Sequence, residues 1–529
     1  MASAEEEEKR AERLRRAREL TASRGGAVPA PVAAAPTPVP AARPEPARGE
    51  APPAPKPLGL LEIIAGLFKP KPAPAPAPVQ SAAGVETPAF TVLVAALGGD
   101  ADGAAATYLN KALATRPTLK VKALGKVFQL DNLEDPSLVS SVVLNTRHAV
   151  AEDDADLLVW GDFGREGYRL RLATATTDDE RAAAFGPATR IELPKDFAEP
   201  ANHLLYAAIL AAIDPATEAQ KSALRRQLPA AAAAAETLAA RPPVQMTMPQ
   251  QRSIQLVFGH VATAAALVLP AEEAPAWFDK AINAYRQAQR RLARTDAGWE
   301  GGLLHKHVAA ALVSKAERTK DQAVAAPLWE DAITEWRSAV ETLPRALMPQ
   351  EWASAQVRLG GTLYRLDLLT GQTELLREAL QALQATLQVY SRTETPQRWA
   401  EIMHTVAQVL EVYGDQIKNT EVLQRAVDAC YSVLEIRTRE RGPLAWAATQ
   451  NTLGGALFLL DRHSENGNHL AEAETALTSA LEVFQAHGAK GPAKVAAKNL
   501  GHVRKLMETR KSRHGVDPHW LDDPDDKRK

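Results

Sequence analysis

The sequence predicts a multidomain α+β protein: a disordered Pro/Ala-rich N-terminal region, a small mixed α/β domain, and an all-α superhelical solenoid of repeated helix pairs. Three observations predict this class. Prolines are concentrated near the N-terminus, where 16 of the 37 fall between residues 25 and 80. Strand-like and helix-like segments alternate from 90 to 213. From about residue 249 onward, the same residue types recur with a period of 47 positions.

Length and composition exclude several classes of protein. A chain of 529 residues is too long for one hydrophobic core, so several folded units are expected. The 62 basic residues nearly balance the 64 acidic ones, which argues against a general nucleic-acid-binding role. The single cysteine, Cys430, excludes a disulfide framework or a Cys-based metal site within one chain. No signal peptide or membrane-spanning stretch is recognisable, so we expect a cytoplasmic protein, with a peripheral contact to the inner membrane as the alternative.

The N-terminal region divides into two parts. Residues 1–24 carry glutamate–basic pairs at helical (i, i+4) spacing and predict a charged helix. Residues 25–89 form a disordered linker, because Ala-Pro runs cannot hold a helix or a sheet ladder. Its one apolar island, 58–68, would place five side chains on one helical face: Leu60, Leu61, Ile64, Leu67 and Phe68. Such a helix could dock on a partner, lie on a lipid surface or pack against the protein's own domains.

Residues 90–213 have the pattern of a small α/β domain. Strands are expected near 90–97 and 119–124, with helices at 102–115 and 136–151. Three further strands and a final helix predict a mixed sheet with helices packed on one face. The motif GGDADG at 98–103 follows the first strand but lacks the residues of a Walker or dinucleotide loop. We interpret it as a tight turn with an aspartate helix cap, and ligand binding there is the alternative.

An Ala-rich connector at 214–248 leads into the repeats, which cover 249–511. The units at 299–340, 349–391, 396–438 and 443–487 are clear, and those at the two ends are degenerate. Small residues at fixed positions allow helices to approach closely, and large apolar residues fill the remaining space. The packing positions that recur at this period are Trp352, Trp399 and Trp446, then Gly360 and Gly454, and Ala332, Ala379, Ala426 and Ala473.

These repeats resemble the tetratricopeptide (TPR) family. RLGG and TLGG match the first helix of that motif, and AINAYRQA and AITEWRSA match its second helix. The period is longer than the usual one of roughly 34 residues, so the resemblance is to an elongated form. More weakly, ADLLVWGDFGREGYRLRL resembles the N-terminal domain of TolB-like proteins, which implies no catalysis.

The TPR resemblance implies a groove that is lined by the first helix of each pair and that binds a protein partner. The groove residues it implies are Tyr364, Arg365, His404, Gln408, Asn451, Lys498, His502 and Lys505. The cations among the last of these could receive an acidic or C-terminal peptide, and an ordinary solvated face is the alternative. The tail, 512–529, is highly charged and expected to be disordered.

No catalytic residue, cofactor or metal site is predicted. His305 and His307 are two positions apart and point to different sides of a helix, whereas metal-binding helices use three or four. Cys430 stands at a packing position and is expected to be a core thiol. We therefore predict a non-enzymatic protein-interaction scaffold with no nucleic-acid partner. The alternatives are a ligand-sensing regulator that uses the α/β domain and a membrane-surface organiser that uses 58–68.

Overall fold

The computed structural model describes residues 89–175, 181–464 and 469–514. The predicted N-terminal helix, the linker with its 58–68 island, and the tail beyond His514 lie outside this range. The described chain forms two compact units, one ending at Val389 and the other beginning at Tyr390. Each unit is described by itself below.

The first unit begins with an α/β domain built around a five-stranded sheet. Its strands are β1 Phe90–Ala96, β2 Leu119–Val127, β3 Leu157–Gly164, β4 Gly167–Ala173 and β5 Ile191–Leu193, and its helices are α1 Ala104–Ala114, α2 Pro136–Glu152 and α3 Glu199–Ala212. The strand order is β2-β1-β3-β4-β5. β1 is parallel to β2 and β3, and β4 is antiparallel to β3 and β5. The predicted mixed sheet is thus confirmed.

The helices of this domain cover both faces of the sheet, so the expectation of one covered face is wrong. On one face, the Tyr168 hydroxyl in β4 donates a hydrogen bond to the Ala105 carbonyl in α1, at 3.3 Å. On the other face, Trp160 in β3 packs in a cluster with Ala149 and Val150 of α2. Strand β2 lies on one side of β1 and β3 lies on the other side. The crossovers from β1 to β2 and from β2 to β3 therefore run in opposite directions across the sheet. Right-handed crossovers in opposite directions place their helices on opposite faces.

Helices follow one another through the rest of the described chain. In the first unit they are α4 Glu218–Ala240, α5 Met248–Val268, α6 Ala274–Arg290, α7 Gly298–Arg318, α8 Gln322–Thr342, α9 Pro349–Thr370 and α10 Thr373–Thr386. In the second unit they are α11 Pro396–Gln416, α12 Thr420–Leu434, α13 Pro443–Ser464, α14 Leu470–Ala486 and α15 Lys490–His514. Each helix packs on the next within its pair, which confirms the predicted helical repeats. No helix of the described residues combines the length and the apolar character needed to cross a bilayer.

The small residues of the repeat stand where helices come closest. Ala332, Ala379, Ala426 and Ala473 are fully buried in the second helices. The first helices α9, α11 and α13 each begin at a proline, whose missing N–H is not needed in the first helical turn.

An arginine series accompanies the tryptophans, and the sequence analysis overlooked it. A guanidinium lies over each indole ring, at 5.1 Å for Arg345 over Trp352, 5.3 Å for Arg392 over Trp399 and 5.6 Å for Arg439 over Trp446. The three arginines are also 47 positions apart, so the spacing could have identified them. These cation–π contacts fix the indole at the start of each first helix.

Candidate interaction surface

In the second unit, the first helices α11, α13 and α15 form a row in which equivalent side chains stand 47 positions apart. Helices α13 and α15 touch through side chains that do not occupy equivalent positions of the repeat. The Asn499 amide in α15 donates to the side-chain oxygen of Asn451 in α13 at 3.3 Å. The His502 ring of α15 stacks on Phe458 of α13, with centroids 6.4 Å apart. Asn451 and His502, two of the predicted groove residues, therefore each contact a side chain of an adjoining first helix, Asn499 and Phe458.

The exposed part of this row is cationic. Lys498, His502 and Lys505 are exposed and lie on one face of α15, because they are spaced by four and three residues. Neither lysine forms an ion pair with a described residue. Partial burial, followed by the charges of the two lysines, lowers the pKa of His502. We refer to these three residues as the α15 cation face.

The same row is polar but uncharged on α11. His404 and Gln408 are each 7% exposed, and Glu411 is 4% exposed. Burial, then the nearby charge of Arg437, lowers the pKa of His404 to about 3. Burial, then Asp415, raises the pKa of the Glu411 carboxyl to about 8. Both side chains are therefore mainly neutral at pH 7, and the free protein keeps them inside the unit.

The two predicted groove residues of the first unit are also engaged within it. Tyr364 is 2% exposed and packs among the helices. The Arg365 guanidinium pairs with the Glu317 carboxylate and lies 5.5 Å from the centre of the Trp329 ring. The structure thus places Tyr364 and Arg365 in contacts between repeats of their own unit.

Elsewhere in the first unit, the first helices contact the α/β domain. The Ser253 hydroxyl in α5 donates to the Arg190 carbonyl at 2.8 Å and accepts from the Glu192 amide at 2.8 Å. The Arg190 guanidinium lies 3.2 Å from the Glu300 carboxylate of α7. Segment 181–193 of the α/β domain therefore lies along the side of α5 and α7. Sequence reasoning missed this contact because its partners are 61 to 110 positions apart and carry no shared motif.

The Asp100 turn is a helix cap, as the sequence indicates. The two Asp100 carboxylate oxygens accept hydrogen bonds from the Ala105 and Ala106 amides of α1, at 3.1 and 2.8 Å. Gly103 takes a left-handed conformation at the start of this helix, with φ of 69°. The carboxylate thus occupies the anion position that the helix N-terminus offers.

The histidines of α7 have separate surroundings. The His305 ring nitrogen Nδ1 lies 2.6 Å from the Glu335 carboxylate. The His307 ring lies 4.4 Å from that of His260 and stacks 5.6 Å from that of Tyr285. Within the described ranges, no group of three or more His, Cys, Asp or Glu side chains could hold a metal ion. Cys430 is fully buried, as predicted for a core thiol.

Comparison with known proteins assigns this chain to no family. No protein-family model matches this chain, and no curated protein matches it. Among solved structures, it is similar to a protein described as a circular tandem repeat protein with novel repeat topology and enhanced subunit contact surfaces. The two share 16% sequence identity and a TM-score of 0.26, over 59% of this chain and 84% of that one. A TM-score this low supports no transfer of function or assembly.

Proposed function

We propose that this protein is a non-enzymatic interaction scaffold of the elongated TPR type, and that it binds a partner protein through the row of first helices α11, α13 and α15. The observation that supports this most is the α15 cation face, where two exposed lysines and a histidine project together without pairing to described acidic groups. Adjacent first helices that touch through polar and aromatic side chains provide the extended surface that a peptide segment requires.

The charge of this row favours an acidic partner segment. A carboxylate, from an acidic side chain or a chain terminus, would be attracted to Lys498 and Lys505 and could accept hydrogen bonds from both. Each exposed ion pair contributes only about 0.2–1 kcal/mol, so the affinity must also come from contacts along α13. Phe458, stacked beside His502, offers an apolar surface at the centre of the row.

The test compares capture of partner proteins from native lysate by three forms of the full-length chain. The first is the natural protein, and the second carries Lys498→Glu with Lys505→Glu. The third carries Lys111→Glu with Lys320→Glu, which makes the same change in net charge at exposed lysines of the first unit. We expect the second form to lose a partner that the other two retain.

A defined probe then tests the chemistry of recognition. A fluorescent peptide ending in three acidic residues should bind the natural protein more tightly with a free carboxylate than with an amidated end. Binding should weaken steeply with salt, because the attraction involves exposed charges. If the charge-reversed form captures the same proteins and binds the peptide equally well, the α15 cation face is not the binding surface.

A further inference from the structure

A small cavity in the first unit lies between segment 181–189 of the α/β domain and the helices α7, α8 and α9. Its volume is about 40 Å³. Ala184, Gly186 and Thr189 line it from the segment, and Trp336 and Ser354 line it from the helices. One water molecule requires a cavity volume of about 10–15 Å³. This cavity therefore has room for about three groups of the size of a water molecule.

Two residues of the cavity wall each carry a buried polar atom that has no hydrogen-bond partner among the described residues. The two atoms are Nε1 of Trp336, whose side chain is 1% exposed, and Oγ of Ser354, which is 5% exposed. Buried donors without a partner are rare, because leaving one unsatisfied costs the full desolvation of the group. Two such atoms on the wall of one cavity indicate that something else accepts from them.

The large side chain of Trp336 belongs to the second-helix pattern of the repeat, but its N–H group is not needed for that packing. The positions equivalent to Trp336, one, two and three periods later, are Leu383, Cys430 and Leu477. An apolar or small side chain therefore fills this position in the three later units. The preceding second helix has Tyr285 there in AINAYRQA, and its hydroxyl lies 3.1 Å from His260 Nδ1.

The charges around the cavity favour an anion. Lys306 and Arg358 also line it, and both side chains carry hydrogen-bond donors only. Glu351 offsets part of this charge, since its carboxylate lies 2.6 Å from the Lys306 ammonium. The neighbouring His307 is neutral, because burial lowers its pKa to about 3. The wall is thus rich in donors, with one acidic group that already has a partner.

We propose that this cavity binds a small free carboxylate of one or two carbons, whose oxygens accept hydrogen bonds from Trp336 Nε1 and Ser354 Oγ. Such a ligand matches the donors, the positive surroundings and the volume. It is a binding site separate from the proposed partner surface. Because the α/β domain supplies one wall and the helical repeats the other, the bound ligand stabilises their contact, and this effect grows with the logarithm of the ligand concentration once the concentration exceeds Kd.

Isothermal titration calorimetry on the full-length protein at pH 7 tests the site with formate and acetate. Sodium chloride at equal ionic strength is the reference. The natural protein should show saturable binding of at least one carboxylate. Ser354→Ala and Trp336→Phe should each weaken that binding about tenfold or more, because each removes a hydrogen bond to a charged group.

Ser314→Ala is the matched control. Ser314 is also a buried helix serine, 7% exposed, but its hydroxyl donates to the Ala310 carbonyl at 2.9 Å. This variant should bind the carboxylate as the natural protein does. Thermal unfolding without ligand checks that the variants fold. Ser354→Ala should unfold at or above the unfolding temperature of the natural protein, because its unsatisfied hydroxyl is gone.

The proposal is overturned if no carboxylate binds beyond the chloride reference, since water alone would then fill the cavity. It is equally overturned if Ser354→Ala and Trp336→Phe bind as tightly as Ser314→Ala.

Discussion

The Cγ atom of Leu383 lies 2.7 Å from the position that a Cβ atom on Gly360 would occupy. Helices α9 and α10 therefore approach to a distance that only a glycine at this position permits. The same relationship recurs two repeat units further along the chain, where Leu477 Cγ lies 2.5 Å from the position of a Cβ on Gly454. This contact gives the Leu-Gly signature of the repeat a physical reason.

Replacing Gly360 with alanine should destabilise the protein. The added methyl group must displace Leu383, and overpacking of this kind costs about 1–3 kcal/mol. Gly361→Ala is the control, because nothing lies within 4 Å of its built Cβ. That neighbouring change should raise stability by up to about 1 kcal/mol through helix propensity alone. Urea unfolding followed by circular dichroism measures both, and equal stabilities would contradict the packing argument.

Arg252→Ala should weaken the first unit. Its guanidinium lies 2.6 Å from the Asp296 carboxylate and 2.7 Å from that of Glu300, and its side chain is 10% exposed. The substitution removes the ion-pair partner of the Asp296 carboxylate and leaves Glu300 paired only with Arg190, at a cost of about 2–4 kcal/mol. Arg504→Ala breaks an exposed pair with Glu474 and should cost less than about 1 kcal/mol. Thermal unfolding measures the stability of both variants. An equal loss of stability in the two variants would contradict the expectation that the Arg252 ion pairs contribute more.

The stability of the second unit should depend on pH through Glu411. Its pKa is about 8 in the folded protein, against 4.5 for a free glutamate. Between these values the unfolded chain has released the proton while the folded chain retains it, so the unfolded state binds fewer protons. Stability must then fall as pH rises from about 4.5 to 8, by at most ~1.4 kcal/mol per pH unit.

Glu411→Gln isolates this effect. The variant has no proton to lose, so its stability relative to the natural protein should increase from pH 5 to pH 8 and then level off. His404 has a lowered pKa, so both proteins lose stability in acid when it takes up a proton. This effect cancels in the difference in stability between the two proteins. Urea unfolding at four pH values gives the result, and a difference that does not change with pH would show that Glu411 titrates normally.

Asp100 should act on stability through the cap of α1. Asp100→Ala removes both acceptors of the Ala105 and Ala106 amides and should cost about 1 kcal/mol. Asp100→Asn keeps one oxygen acceptor and should lose less. The measurement is thermal unfolding of the full chain, and an unchanged Asp100→Ala variant would mean that the turn does not depend on this cap.

Periodic features of the protein were accessible from the sequence. The helix pairs and the buried alanines such as Ala379 follow from the 47-residue spacing, because each repeat must bury the same face against its neighbour. The arginines that lie over the tryptophans, among them Arg392 on Trp399, share this period and could have been identified in the same way. The mixed sheet was likewise predictable from the order of strands and helices.

The candidate sites were predictable only in part. Spacing on one helix indicated that Lys498, His502 and Lys505 share a face, and the structure exposes all three. The same reasoning could not show that His404 and Glu411 are buried, since their burial depends on the close approach of neighbouring helices. Nor could it show the cavity at Trp336 and Ser354, whose opposite wall comes from residues more than 140 positions earlier.

The sequence by itself determined the elements that repeat, because helix periodicity and small-residue spacing are local properties of the chain. Only the tertiary structure decided which sheet faces the helices cover, since that depends on the direction of each crossover. It also decided that Arg190 and Ser253 meet, and that Trp336 Nε1 has no acceptor in the part of the chain that the structure describes. Contacts between distant segments depend on how whole elements pack, and no local pattern of residues encodes them.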